Sequence, residues 1–282
     1  MRQMIEVKDL VKKYSDGITA LKGVSFNASK RVTSIIGRNG AGKTTLLRIL
    51  STQLMPTSGS VSINGVDIIR NPDDIRNKIV SIPQEASPIG VLTAFEQVKM
   101  YLVGRRFSFM DATREANRSL NEIGLEGFKH VPTDTLSGGM KRKVFVAMAL
   151  ASNAEIVFLD EPTTGLDPLS RMEVWSAIRQ IDSHIILTTH YMEEAQELSD
   201  EVFLVETGKI IEQGTVASLL NRFDGMLRAE TSSPCDGCAR VSNTYIKYIQ
   251  KDRAQEYLEK GFTVKSVNLD DLFISKGVNL ES

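Results

Sequence analysis

Short runs of apolar residues alternate along the chain with longer stretches in which apolar residues recur at every third or fourth position. The runs at 32–36, 156–159 and 185–189 have the length of strands buried inside a sheet. Residues 46–50 follow the helical spacing and place four aliphatic side chains on one face. The pattern predicts an α/β protein in which buried strands lie between amphipathic helices.

A glycine-rich turn joins the run at 32–36 to the helix that follows it. The pattern of Gly, four residues and Gly-Lys-Thr is typical of a phosphate-binding loop, because glycines let the backbone N–H groups surround a triphosphate. Lys43 then supplies charge to the β- and γ-phosphates, and Thr44 offers a hydroxyl to Mg²⁺. A turn without a ligand is the alternative. The candidate nucleotide-binding residues here are Gly37, Arg38, Asn39, Gly40, Ala41, Gly42, Lys43, Thr44 and Thr45.

The apolar run at 156–159 ends in two acids, Asp160 and Glu161. Carboxylates at the end of a buried strand are costly unless they meet a cation or a hydrogen-bond donor. Asp160 is suited to orienting Mg²⁺ with its water shell, and Glu161 to polarising an attacking water. A strand end that emerges into solvent is the alternative interpretation.

Two further polar residues, Gln84 and His190, follow predicted strands. A lone histidine at a strand end is usually structural. In parallel sheets, however, ligands bind at the carboxyl ends of the strands, which predicts that Gln84 and His190 converge with Gly37 and Asp160.

The pattern from about 86 to 154 is helical, which predicts a helical insert between strands. Within it, Leu136, Ser137, Gly138 and Gly139 precede another helix, which Ser137 can cap. This is either a second helix N-terminus suited to phosphate or a bare turn.

Two short strands, at 4–8 and 24–27, are predicted near the N-terminus, with a polar turn between them. Tyr14 lies just before that turn, where its ring either stacks on an adenine or packs at a strand edge.

The overall composition narrows the class of partners. The 282 residues carry a formal net charge of −1 and are 41% hydrophobic and 24% charged, so nothing indicates general attraction to nucleic acid. No apolar run approaches the roughly 18 residues of a membrane span. Charges near Met1 argue against a signal peptide, so we expect a cytosolic protein.

Taken together, these motifs resemble the ATP-binding subunit of an ABC transporter over roughly residues 4–215. The resemblance implies a P-loop NTPase cassette: an α/β fold with a mixed sheet core, an N-terminal antiparallel β subdomain and a helical insert at 86–154. It divides the chain into a cassette at 1–215 and a small C-terminal α+β extension at 216–282. It also implies a homodimer, or a heterodimer with another ABC ATPase subunit. The dimer would bind an integral membrane permease, which is a separate polypeptide, at the cytoplasmic face of the membrane.

The resemblance assigns roles residue by residue. Tyr14 would stack on adenine, Thr44 and Gln84 would bind Mg²⁺, and Asp160 would hold the metal's water shell. Glu161 would be the general base, assisted by Lys43 and His190 at the γ-phosphate. The segment Leu136, Ser137, Gly138 and Gly139 would cover the ATP of the other subunit, and Asp167 would tie the subunits together.

Met140 departs from the family pattern, which most often has glutamine there, and a thioether cannot donate a hydrogen bond to a ribose. The variant resembles subunits of exporters of drugs, polysaccharides or lipids. The permease would dock near Pro88, Ile89, Val91, Leu92 and Phe95; the alternative is that these apolar side chains only pack in the core. The alternative function is a soluble ABC-type ATPase in cofactor assembly or another cytosolic process.

The tail contains a single Cys-x-x-Cys pair, Cys235 and Cys238. Two cysteines alone do not complete a zinc site, so we expect two reduced thiols in a loop. A metal site shared across a dimer and a reversible disulfide are the other interpretations.

Overall fold

The structure is a computed structural model that describes residues 4–275. The chain divides into two units, Met1–Gln213 and Gly214–Ser282. The strands of the first unit are β1 (Ile5–Lys13), β2 (Thr19–Ala28), β3 (Val32–Ile36), β4 (Ser58–Ile63), β5 (Val66–Asp67), β6 (Ile79–Ile82), β7 (Ile156–Asp160), β8 (His184–Thr189), β9 (Glu201–Glu206) and β10 (Lys209–Gly214). Its helices are α1 (Lys43–Leu50), α2 (Asp73–Arg76), α3 (Ala94–Gly104), α4 (Phe109–Glu122), α5 (Gly138–Ala151), α6 (Pro168–Arg179) and α7 (Met192–Leu198).

The N-terminal strands form an antiparallel sheet in the order β2-β1-β4-β5. Both β1 and β2 are longer than the sequence pattern predicted. The pairing of β1 with β2 shifts register between Val7 and Leu10, and Asp9 between them has a φ of 46°. Such a bulge interrupts the alternation of apolar and polar residues, which is why the pattern gave shorter strands.

The second sheet has the order β10-β9-β3-β8-β7-β6, and β9, β3, β8, β7 and β6 run parallel. Its central strands are buried on both faces, as their apolar runs predicted. Successive residues of β7 alternate between two cores: Ile156 and Phe158 pack with α1 and the antiparallel sheet, whereas Val157 and Leu159 pack with the helices of the insert.

The segment predicted to be a helical insert contains α3, α4 and α5, with short 3₁₀ turns at Glu126–Phe128 and Thr133–Thr135. Thr93 begins α3 through a capping box with Glu96, and Ser137 begins α5 by accepting a hydrogen bond from the N–H of Met140. The fold class is confirmed: the cassette combines an antiparallel subdomain, a mixed sheet core and a helical part.

The second unit is a small α+β unit of its own. Its strands β11 (Met226–Thr231), β12 (Ala239–Val241), β13 (Thr244–Gln250) and β14 (Thr263–Ser266) form an antiparallel sheet in the order β12-β13-β11-β14. Its helices are α8 (Val216–Leu220), α9 (Ala254–Glu259) and α10 (Asp270–Ser275). The buried carboxylate of Asp271 fastens α10 to this sheet, since it accepts hydrogen bonds from Arg228 and Tyr248.

The expectation of two reduced thiols is wrong for this structure, in which Cys235 and Cys238 form a disulfide. The turn between β11 and β12 brings their Cα atoms to 5.5 Å, a separation that a disulfide spans readily.

Candidate nucleotide-binding site

The glycine-rich loop lies between the end of β3 and the start of α1. Gly42 caps α1 with a φ of 106°, and a Cβ there would lie 2.6 Å from the carbonyl oxygen of Ala20. A Cβ on Gly37 would lie 2.2 Å from the carbonyl oxygen of Val205. Only glycine fits either position, so the loop has the tight path that the sequence predicted.

A cleft of about 560 Å³ opens at this loop, which is an ordinary size for a small-molecule site. It brings together nine of the predicted site residues, namely Tyr14, Asn39, Gly40, Gly42, Lys43, Thr44, Thr45, Gln84 and Glu161. Asp16, Ile18 and Ala20 also line the cleft, and sequence reasoning missed them. The sequence signal that could have indicated a surface for a base is an apolar residue, Ile18, directly after the polar turn that follows Tyr14.

Lys43 and Glu161 form a buried ion pair in the cleft. Each residue is 5% exposed, and Lys43 Nζ lies 3.2 Å from Glu161 Oε1. The ammonium group also donates to the carbonyl oxygens of Gly37 and Arg38, at 2.8 and 3.1 Å. The ammonium group is therefore held between the phosphate loop and the carboxylate of Glu161.

The other oxygen of Glu161 contacts the histidine predicted from the neighbouring strand. His190 Nδ1 lies 2.5 Å from Glu161 Oε2, and the hydroxyl of Thr164 donates to the same oxygen at 2.7 Å. Burial alone would raise the pKa of Glu161, but the Thr164 hydrogen bond, the Lys43 charge and the contact with His190 together outweigh burial and lower it. Glu161 is therefore held in its ionised form.

Asp160 lies beside Glu161 but in a different environment. Its Oδ1 accepts hydrogen bonds from Thr188 at 2.5 Å and from Thr44 at 3.1 Å. Burial is the main cause that raises the pKa of Asp160, and the charge of Glu161 adds to it. A bound cation would offset that cost. Thr188 and Thr164 were missed from the sequence, where nothing separates them from other threonines.

The residues fit Mg²⁺ by the chemistry of their donors. The hydroxyl of Thr44, the amide of Gln84 and the carboxylate of Asp160 are oxygen donors of the kind that Mg²⁺ prefers, with phosphates completing its shell. Among residues 4–275, no cluster of three His, Cys, Asp or Glu side chains could hold a metal by itself.

The second glycine-rich helix start, at α5, lies apart from this cleft. Ser137 and Gly138 are exposed, whereas Leu136 and Gly139 are buried. A Cβ on Gly139 would lie 2.8 Å from the Cβ of Ser170 at the start of α6, so glycine is required for that contact. The described residues that line the cleft do not include 136–139.

Asp167 is exposed and caps α6 by accepting hydrogen bonds from the N–H groups of Leu169 and Ser170, at 3.1 and 3.0 Å. Arg142 on α5 was not predicted as a site residue. It donates to the carbonyl oxygen of Gln84 at 2.5 Å and so fixes the segment that carries this candidate metal ligand. Within residues 4–275, no helix is both long and apolar enough to cross a membrane.

These features, a phosphate loop, two acids at a buried strand end and a histidine at the next strand, define a nucleotide-hydrolysing P-loop protein. The family model described as ABC transporter matches residues 21–164. The chain therefore belongs to the ABC transporter family.

Curated relatives and solved structures agree with this membership. The daunorubicin/doxorubicin resistance ATP-binding protein DrrA of Streptomyces peucetius is 36% identical over 76% of this chain and 66% of its own length. DrrA3 of Streptomyces coeruleorubidus is 34% identical over 79% and 73%. The mouse retinal-specific phospholipid-transporting ATPase ABCA4 is 37% identical over 77% of this chain, but over only 10% of its own length.

Among solved structures, an ATP-binding subunit of an ABC transporter matches with a TM-score of 0.67 and 28% identity, covering 78% of this chain and 93% of that one. A dimeric ATP-binding cassette in a post-hydrolysis state with ADP and Pi matches with a TM-score of 0.67 and 29% identity, over 75% and 98%.

Proposed function

We propose that two cassettes hydrolyse ATP between them and so drive cargo through a membrane permease on a separate polypeptide. One observation carries the proposal. At the start of α1, Lys43, Asp160 and Glu161 lie together at the nucleotide cleft. A second helix N-terminus, at α5, exposes Ser137 and Gly138, which do not line that cleft. Each half of the site thus needs the other half from a second chain.

In the bound state, Tyr14 stacks on the adenine and the phosphate loop surrounds the triphosphate. In this structure Lys43 pairs with Glu161. The triphosphate carries more negative charge than one carboxylate, so we expect Lys43 to turn to the β- and γ-phosphates. That exchange frees Glu161 Oε1. Thr44, Gln84 and Asp160 would hold Mg²⁺, which neutralises phosphate charge.

Glu161 is the general base of the proposed reaction. It takes a proton from the attacking water while the water oxygen bonds to the γ-phosphorus, and the bond to the β-phosphate oxygen breaks to give ADP and phosphate. Thr164 keeps Glu161 ionised and oriented through its 2.7 Å hydrogen bond. His190, held against Glu161, is placed to contact the γ-phosphate.

The second cassette, identical or closely related, supplies Ser137 and Gly139 to the γ-phosphate. The N-terminus of α5 provides N–H groups and a partial positive charge for this purpose. Asp167, exposed at the start of α6, would contact the partner chain.

The permease would dock on the helical part of the cassette, at the cytoplasmic face of the membrane. Ile89 and Val91 are 58% and 81% exposed. An apolar groove of about 380 Å³ lies nearby, lined by Leu92, Glu96, Lys99, Met100, Val103 and Phe109. Relatives named for drug resistance and for phospholipid transport favour a drug-like or lipid cargo.

Replacing Glu161 with Gln tests the base and the dimer together. We expect kcat to fall about 100-fold or more, and an ATP-bound dimer to accumulate in size-exclusion chromatography. Glu155→Gln is the matched control, because Glu155 directly precedes the first residue of β7, at the opposite end of the strand from Glu161. There it pairs with Lys78 at 3.3 Å. An unaltered hydrolysis rate in Glu161→Gln would refute the assigned base.

Transport coupling needs a separate test. The chain should co-purify with a membrane protein, and reconstituting both in proteoliposomes should change the ATPase rate. If it instead captures a cytosolic partner, and no membrane protein changes its ATPase rate, the assembly-type ATPase is the better assignment.

A further inference from the structure

Glu194 is a buried carboxylate outside the nucleotide cleft. It belongs to α7, and none of its surface is exposed. Its Oε1 accepts hydrogen bonds from the hydroxyl of Thr163 at 2.7 Å and from the indole N–H of Trp175 at 2.9 Å. Burial raises the pKa of Glu194, so keeping this group here is costly. An apolar side chain would fill the space without that cost. The carboxylate adds these two hydrogen bonds, together with its interactions with Thr189 and with the charge of Arg171.

Both ends of this contact lead back to the hydrolytic groups. Thr163 lies two residues after Glu161 in the same turn, and the next residue, Thr164, donates to Glu161 Oε2. Glu194 lies four residues after His190, whose Nδ1 contacts that same oxygen. The turn after Glu161 and the helix after His190 are therefore linked twice. One link is the contact between Glu161 and His190, and the other is the hydrogen bond between Thr163 and Glu194.

The turn that carries Glu161 needs to be held from both sides. Glu161 has a φ of 47°, a left-handed conformation that residues other than glycine keep only where their surroundings enforce it. On one side, its N–H lies 3.1 Å from both the carbonyl oxygen and the hydroxyl of Thr188 on β8. On the other side, the Thr163 hydroxyl anchors the turn to Glu194.

We propose that Glu194 is a positioning residue for hydrolysis, which fastens the turn after Glu161 to the helix after His190. The proposal rests on the roles given above to Glu161 and His190. Trp175, from α6, fixes the carboxylate by bonding the same oxygen as Thr163. We call the hydrogen bonds of Glu194 with Thr163 and Trp175 the brace. If the brace is broken, Glu161 and His190 lose their relative positions, while the phosphate loop still binds ATP.

Thr163→Val is the sharpest test, because it removes the hydroxyl with little change of shape. We expect kcat to fall about 10- to 100-fold with the KM for ATP within about twofold of wild type. Thr33→Val is the matched control: Thr33 is equally buried, on β3, and its hydroxyl has no hydrogen-bond partner among residues 4–275. Its kcat should equal that of wild type.

Conservative rescue separates positioning from packing. In Glu194→Gln the amide oxygen still accepts from Thr163 and Trp175, so kcat should stay within about threefold of wild type. Glu194→Ala should lose at least as much kcat as Thr163→Val. Thermal unfolding of each variant sets the temperature at which all are folded, and the single tryptophan, Trp175, reports its local environment by fluorescence.

The brace is refuted if folded Thr163→Val and Glu194→Ala keep the wild-type kcat, or if Thr33→Val loses as much activity as Thr163→Val. Glu161→Gln, run in parallel, distinguishes two kinds of failure. If Glu161→Gln abolishes hydrolysis and Thr163→Val does not impair it, only the brace is wrong. If Glu161→Gln hydrolyses normally, the proposed function and the brace fall together.

Discussion

Two helices of the cassette begin at glycine-rich turns, and the surroundings of their N-termini differ. The start of α1 holds Lys43, buried and paired with Glu161. The start of α5 is exposed at Ser137, and the nearest lysine, Lys141, donates to the carbonyl oxygen of Asp134 instead. Both termini attract anions through their N–H groups and their dipoles. Only the first has a buried lysine with a carboxylate base beside it.

The difference assigns separate tasks to the two N-termini in the proposed reaction. The α1 terminus binds and cleaves the nucleotide, and the α5 terminus covers it. A triphosphate at α1 meets every group that the proposed hydrolysis requires from one chain. A triphosphate at α5 would meet N–H groups and one hydroxyl, which stabilise charge but transfer no proton. Under the proposed function, the α5 terminus therefore contacts a nucleotide that another chain holds.

Removing the two lysines in turn gives the largest expected contrast. Lys43→Ala should lower ATP hydrolysis about 100-fold or more, because it removes a buried charge at the phosphates. Lys141→Ala makes the same chemical change near the other helix start and should leave the rate within about twofold. Steady-state ATPase assays compare them, with fluorescent-nucleotide binding as a second measurement. Equal losses in both variants would erase the distinction between the two termini.

Placing a carboxylate at the start of α5 should affect stability and activity in opposite directions. In Gly138→Asp the new charge interacts favourably with the helix dipole, by about 0.3–1 kcal/mol. Any Cβ at this position would lie 3.3 Å from Cδ2 of Leu166, so Tm should be no lower than that of Gly138→Ala. The same charge would repel the partner's triphosphate and lower ATPase about 10- to 100-fold. Gly138→Ala, which adds a Cβ without charge, is the control. A Gly138→Asp variant that hydrolyses ATP normally would show that α5 does not face the nucleotide.

Local sequence patterns predict some parts of the molecule and not others. The path from β3 through the loop to α1 follows from local rules, since the glycines and the apolar spacing are close in sequence. The two-sided burial of β7 likewise follows from its four consecutive apolar residues. The bulge at Asp9 hid the full length of β1, because it breaks the alternation on which strand prediction depends.

The contacts within the site depend on which strands are neighbours in the sheet. The spacing of residues along the sequence does not predict that strand order. His190 reaches Glu161 because β8 pairs with β7, although 29 residues separate the two side chains. Thr188 and Glu194 act through similar long-range contacts. A threonine or a glutamate in such a place has no local pattern that distinguishes it from one at the surface.

The base-binding end of the α1 cleft should show a smaller effect, confined to affinity. Tyr14→Ala removes a ring whose stacking on a base contributes about 1–3 kcal/mol, so KM should rise about fivefold or more with kcat unchanged. Tyr14→Phe keeps the ring and loses only the 3.1 Å contact of the hydroxyl with Thr45, so its KM should stay near wild type. A fall in kcat with constant KM would place Tyr14 outside the base site.

Met140→Gln should have the smallest effect, and it tests whether the α5 terminus contributes more than N–H groups. Met140 is half-buried and packs against the core of the helical part, while its N–H bonds to Ser137. Glutamine restores a hydrogen-bond donor without moving that backbone, so ATPase should change by less than about threefold. Met140→Leu, which keeps an apolar side chain, is the control. A tenfold rise in Met140→Gln alone would mean that a side chain at this position limits how tightly α5 covers the partner's ATP.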